Sequence, residues 1–218
     1  MSSYLAWRLP FFAILTMGVV TGLYYYRQKK NLRPVIILLA ITLLAEIIAY
    51  FMGKYFRNAM PVAHFFNPVQ LGIWAIFFYR VYEESRVKKI VLWLTAGMLG
   101  FAVINSVFLQ PLKTFPDNFL KLETTLFILW GGYLFMRRLD TPSHISIFKD
   151  PLFVIAVAIL WFNLLSFSFF LLQAYVGAEQ LAIRLISIHL ISNYIYYLLL
   201  SIAIALPQKQ LQHEGELL

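Results

Sequence analysis

The run VIILLAITLLAEIIAYFM, residues Val35 to Met52, decides the fold. Wound as an α-helix at about 1.5 Å per residue it reaches about 27 Å, close to the roughly 30 Å thickness of bilayer hydrocarbon. Its apolar residues do not alternate as a lipid-facing barrel strand requires, so the stretch reads as a transmembrane helix. One ionisable side chain, Glu46, sits inside it. A carboxylate at that depth is costly unless something compensates it, which makes Glu46 a functional pointer as well as a structural one.

Working outward, six further stretches have the same character. The expected spans are 9–26, 34–53, 62–82, 89–109, 119–137, 151–173 and 184–206, giving an all-α integral membrane protein: a seven-transmembrane-helix bundle that uses residues 1–218 as one membrane domain. Composition agrees, with mean hydropathy +0.74, 17% aromatic residues and 13% charged ones, about half the ~25% charged residues of a soluble domain. A soluble catalytic or DNA-binding domain has no room in such a chain. The lipid bilayer is the first expected partner.

Charge sets the expected orientation. Arg27, Lys29, Lys30 and Arg33, then Arg80, Arg86, Lys88 and Lys89, then Arg137, Arg138 and Lys149 fall in alternate connections, and with Lys209 they place twelve basic residues on one side. The other side carries six: Arg8, Lys54, Arg57, Lys113, Lys121 and Arg184. The positive-inside rule then puts the N-terminus outside and the C-terminus in the cytoplasm. The net charge of +8 follows from this bias, and no nucleic-acid partner is implied by it. The compact architecture suggests a bacterial-type inner (plasma) membrane. The first span reads as a retained helix, since its positive cluster follows it, the reverse of a cleavable signal.

Local boundary signals support the divisions. Asp150-Pro151 sets a capping acid before a proline at the first helical position, Arg33-Pro34 opens the second span similarly, and Asn58 to Pro61 marks the turn into the third. The longest exterior connection, Gln110 to Asn118, contains Pro111 and Pro116. The tail from Pro207 is short and mixed in charge, enough to touch a partner.

Polar interruptions are the candidate site: Glu46, His64, Asn67, Gln70, Asn105, Glu123, Asn163, His189 and Asn193. Thr42, Glu46 and Tyr50 form one helical stripe, and His189, Asn193 and Tyr196 another. With the N-terminus outside, most of these groups fall in the outer half of the bundle, as a polar cavity open to that side requires. Its ligand would be a small molecule or an ion. The plainer alternative is a set of interhelical hydrogen bonds, which is the preferred reading for Asn105 and Asn163 taken singly. Glu46 is expected to be buried and paired, with His64 and His189 as candidate partners.

Other chemistries have weaker support. Glu46, His64, Glu123 and His189 compose a donor set suited to zinc, iron or manganese, the basis for a metal-dependent membrane hydrolase, but they come from separate spans and form no HExxH motif. Spans 1–3 and 5–7 can be aligned as parallel triplets, with Pro34 matching Pro151 and His64-x-x-Asn67 matching His189-x-x-x-Asn193, as in a small transporter built from repeats. The chain has no cysteine, so thiolate chemistry is absent. It shows no nucleophile elbow and no phosphate-binding glycine loop, and span 7 has no lysine for a retinal Schiff base. No cofactor is specified. Gly131-Gly132 marks a close-packing or bend site. The favoured reading is a sensory or signalling protein reporting to a cytoplasmic output protein, with the transporter, the hydrolase and a structural membrane-interaction protein as alternatives.

Overall fold

The computed structural model describes residues 2–140, 146–173 and 179–207. Seven long helices follow one another: α1 (Ser2–Tyr25), α2 (Arg33–Phe56), α3 (Met60–Val81), α4 (Ser85–Ile104), α5 (Asp117–Asp140), α6 (Pro151–Gln173) and α7 (Glu179–Ala205). All seven are long and apolar enough to cross a membrane. This is the architecture of an integral, helical membrane protein.

Helix ends follow local chemistry. Pro34 sits in the first turn of α2, where its missing N–H would have had no partner. Arg57 then takes a left-handed conformation, φ 56°, and closes α2. The Asn58 carboxamide accepts the Met60 N–H at 2.9 Å and starts α3. The Asp150 carboxylate accepts the Leu152 N–H at 3.0 Å and starts α6, and its other oxygen accepts from Arg138 Nε on α5 at 2.5 Å. That acid therefore caps one helix while tying it to its neighbour. Helix α3 stops at Val81, so Tyr82, which the apolar pattern had placed inside the third span, stands just beyond it.

The helices pack in chain order around a ring. Contacts run from α1 to α2, α2 to α3 and α3 to α4, and again from α5 to α6 and α6 to α7; α1 against α7 closes the circle. The α4–α5 seam is thin. Across it, aromatic residues of α3 and α5 carry the packing: Trp74 faces Phe127, Phe78 packs edge-on to Trp130 at 5.3 Å, and the Tyr82 hydroxyl donates to the Trp130 carbonyl at 2.6 Å. Small residues allow close approach elsewhere. Gly18 of α1 lies against Ser201 and Leu39, Gly22 against Ile36, and Gly131 of α5 against Ile159 of α6. Gly132 faces open space, so of the glycine pair only Gly131 is a packing site. Exposed residues such as Tyr24, Phe56, Trp93 and Phe108 form the apolar exterior that lipid would cover.

Candidate functional site

The sequence-flagged side chains separate into several places. Glu123 is the most enclosed acid among the described residues. It lies near the start of α5, is 2% exposed, and its Oε1 has no hydrogen-bond partner among the described residues. The hydroxyls of Tyr196 and Tyr197, both buried on α7, lie in its neighbourhood. The Trp74 indole of α3 faces the Tyr196 hydroxyl, and Phe162 of α6 stacks on that tyrosine ring at 4.8 Å. Helices α3, α6 and α7 thus meet at Tyr196, near this carboxylate, and no ion pair to Glu123 occurs among the described residues.

Glu46 of α2 is a second acid in the neighbourhood of the Tyr197 hydroxyl. Thr42, one turn earlier on α2, faces that hydroxyl without closing a well-formed hydrogen bond, and Thr42 Oγ1 and Ser192 Oγ are further buried polar atoms lacking one. The partner of Glu46 is neither histidine. Arg8 of α1 brings a guanidinium nitrogen to 3.9 Å from Glu46 Oε2, with Tyr194 beside the pair. The two side chains are 24% and 33% exposed, so the pair opens toward the surface while Glu123 does not. Arginine was missed because Arg8 stood at the polar margin of the first apolar run; six residues into α1, it reaches the α2 stripe.

His64 belongs to a different cluster, at the end of the bundle formed by the start of α3, the end of α4 and the α4–α5 connection. Its Nε2 lies 3.0 Å from the Thr114 carbonyl, which can only accept, so Nε2 carries the proton and Nδ1 accepts from the Ser106 hydroxyl at 2.8 Å. Beyond Ile104 the helix widens into a π turn, Asn105–Leu109, with the Gln110 N–H donating to the Asn105 carbonyl at 2.6 Å. The wider turn aims both residues at one another. Asn105 Nδ2 donates to Gln110 Oε1 at 3.0 Å, Gln110 Nε2 donates to Asp117, and Asp117 pairs with Lys121 at 2.6 Å. Asn105 is 1% exposed, and its Oδ1 is left without a partner among the described residues. A cavity of about 10 Å³ bounded by His64, Pro68, Asn105, Ser106 and Phe119 adjoins the cluster, about the space one water molecule needs.

The remaining candidates are dispersed. His189 lies among the rings of Phe162, Phe169 and Phe170, with Nδ1 3.4 Å from the Ser166 hydroxyl. Asn163 Nδ2 bonds back to the Ile159 carbonyl of its own helix at 2.8 Å. Asn67 is buried, while Gln70 and Asn193 are half-buried. Glu46, His64, Glu123 and His189 do not converge: among the described residues no three acidic or histidine side chains are grouped to hold a metal ion. The donor set for metal-assisted hydrolysis therefore lacks its geometry. What the arrangement offers chemically is a buried acid with hydroxyl neighbours, flanked by a second acid in an ion pair.

No family model matches this chain, and neither a curated protein nor a solved structure matches it.

Proposed function

We propose that this membrane protein is sensory or signalling and responds to a small cation or small polar molecule held at the centre formed by Glu123, Tyr196, Tyr197 and Thr42, with Glu46 at its border. The observation that carries the reading is the burial of Glu123 with no countercharge among the described residues. On insertion scales a charged residue costs up to about 3 kcal/mol at the middle of a spanning helix and less toward its ends, and intramembrane acids mark ligand or ion pathways. A hydrogen-bonded scaffold would have left the acid paired, as Asp150 is with Arg138.

The orientation that suits this role has the N-terminus outside, so that the three basic connections face an anionic cytoplasmic leaflet and a cytoplasmic output protein, in a bacterial inner membrane. The whole chain acts as one membrane domain in this reading. In this reading His64, bonded to Ser106 and Thr114, and Asn105, bonded to Gln110, hold the end of the bundle beside a water-sized cavity, and the ligand groups are those around Glu123.

Thermal unfolding of the detergent-purified protein against alkali and alkaline-earth cations, small ammonium ions, pH and a polar-metabolite panel tests this. A saturable shift, lost in Glu123→Gln, is the expected result; no response to any condition would overturn it. Transport is the second reading, favoured by the same intramembrane acid. Accumulation or counterflow of the stabilising ligand in sealed vesicles would select it.

A further inference from the structure

We infer that the cavity where α3 meets the end of α4 is a binding site for one internal water molecule, which donates a hydrogen bond to Asn105 Oδ1. The site is separate from the residues around Glu123 and does not depend on what they bind. The cavity measures about 10 Å³ and is bounded by His64, Pro68, Ala102, Asn105, Ser106 and Phe119. One water molecule takes about that space, and an organic ligand does not fit it.

The direction of the surrounding hydrogen bonds is fixed from two ends. At one end the Asp117 carboxylate, paired with Lys121, can only accept, so Gln110 turns its Nε2 toward it. Gln110 Oε1 is then left for the Asn118 N–H at 3.2 Å and for Asn105, which must donate to it through Nδ2 at 3.0 Å. That orients the carboxamide and makes Oδ1 the atom left over. At the other end the Thr114 carbonyl accepts from His64 Nε2 at 3.0 Å, so Nδ1 takes the Ser106 hydroxyl proton at 2.8 Å. Ser106 Oγ keeps only lone pairs. Each chain of bonds thus ends on an acceptor, and each of these acceptors belongs to a residue that borders the cavity.

Helix irregularities on both sides add to this demand for a donor. Pro68 lies inside α3 and has no N–H to return to the His64 carbonyl one turn earlier, and both residues border the cavity. Facing them, α4 gives way to the π turn Asn105–Leu109, which begins at the residue whose oxygen is left over. Asn105 is 1% exposed, and its Oδ1 has no partner among the described residues. A buried amide oxygen is costly unless a donor reaches it. Water brings two hydrogens to this set, one for Asn105 Oδ1 and one for the remaining acceptors. A small cation would also be drawn to acceptors, but no acid borders the cavity, so its charge would be buried uncompensated beside Ala102, Pro68 and Phe119. A neutral water meets no such cost.

Diffraction from crystals of the full chain, grown without ammonium salts and at a resolution that shows ordered water, tests the assignment. A single density peak is expected within about 3.2 Å of Asn105 Oδ1. It should disappear in Ala102→Val, whose added methyl groups fill the space and leave Asn105 in place. A solution measurement reads the same contact. With asparagine labelled by 15N, the Asn105 carboxamide, identified by its loss in Asn105→Leu, should show direct cross-relaxation with water that is lost in Ala102→Val. If Ala102→Val does not fold, Ala63→Val fills the cavity from the α3 side. A cavity without density in the wild type, or cross-relaxation unchanged in a folded filling variant, overturns the inference. A peak that appears only when ammonium or alkali salts are added overturns it in favour of a cation.

Discussion

Arg8 and Glu46 meet across α1 and α2 at 3.9 Å, joining the first helix to the stripe that the second presents to the bundle. The separation is long for an ion pair, and both side chains retain partial exposure, so its contribution is nearer that of a surface pair than a sealed one. A double-mutant cycle with Arg8→Gln and Glu46→Gln should give a coupling energy of about 1 kcal/mol by reversible unfolding in detergent. Additive single effects would show that the two groups are neighbours without interaction.

His64 holds the α3, α4 and α4–α5 elements together with both ring nitrogens. Each such bond contributes roughly 1 kcal/mol, and the partners left behind in Ala lose theirs, so His64→Ala should cost about 2–3 kcal/mol. Ligand response at the centre should survive. A cysteine placed at Ser106 should react faster with a water-soluble maleimide in the His64→Ala background than in the parent, and an unchanged rate would contradict the closure described here.

Tyr82 gives the fold a definite alkaline response. Burial, with Tyr133 alongside, raises its hydroxyl above the ordinary tyrosine value of 10.0. Above that pH the unfolded chain releases the Tyr82 proton while the folded chain keeps it, so the unfolded state binds fewer protons and stability falls as pH rises. Below it the contribution is complete. Tyr82→Phe should cost about 1 kcal/mol at neutral pH through loss of the bond to the Trp130 carbonyl, and the gap between variant and parent should close as pH climbs past 10. A gap that stays constant would contradict the burial of this hydroxyl.

The two adjacent glycines of α5 should behave oppositely. A methyl group at Gly131 would come within 2.8 Å of Ile159 Cγ2, whereas one at Gly132 would meet nothing within 4 Å. Gly131→Ala should destabilise the protein by about 1–3 kcal/mol, and Gly132→Ala should be neutral or stabilising by up to about 1 kcal/mol. Unfolding curves that place the two variants together would contradict the α5–α6 packing.

Much of the bundle was legible because its signals are local. The apolar run around Glu46, Pro34 at the head of α2 and Asp150-Pro151 at the head of α6 each follow from a few neighbouring residues, and seven such runs name the architecture. The site was legible only as a set of residue types. Glu46 and Glu123 stood out because a carboxylate is expensive in hydrocarbon, yet nothing in their spacing told that Glu46 would meet Arg8 or that Tyr197 would have both acids in its neighbourhood. Those relationships depend on helix rotation and on which helices adjoin. Gln110 and Ser106 were missed for a related reason: the π turn after Ile104 changes the facing of the residues that follow, which helical periodicity does not anticipate. His64 and His189 looked equivalent in sequence and are not, one bonded through both nitrogens and the other set among aromatic rings.

The account turns on Glu123, and one comparison tests it most directly: thermal unfolding of wild type, Glu123→Gln and His64→Ala across the same cation, pH and small-molecule series. Glutamine preserves the shape and removes the charge, so Glu123→Gln should fold, match or exceed the parent's stability to within about 1 kcal/mol, and lose the ligand-dependent shift that His64→Ala retains. A full shift in Glu123→Gln, or a shift lost only in His64→Ala, would contradict the placement of the working site at Glu123.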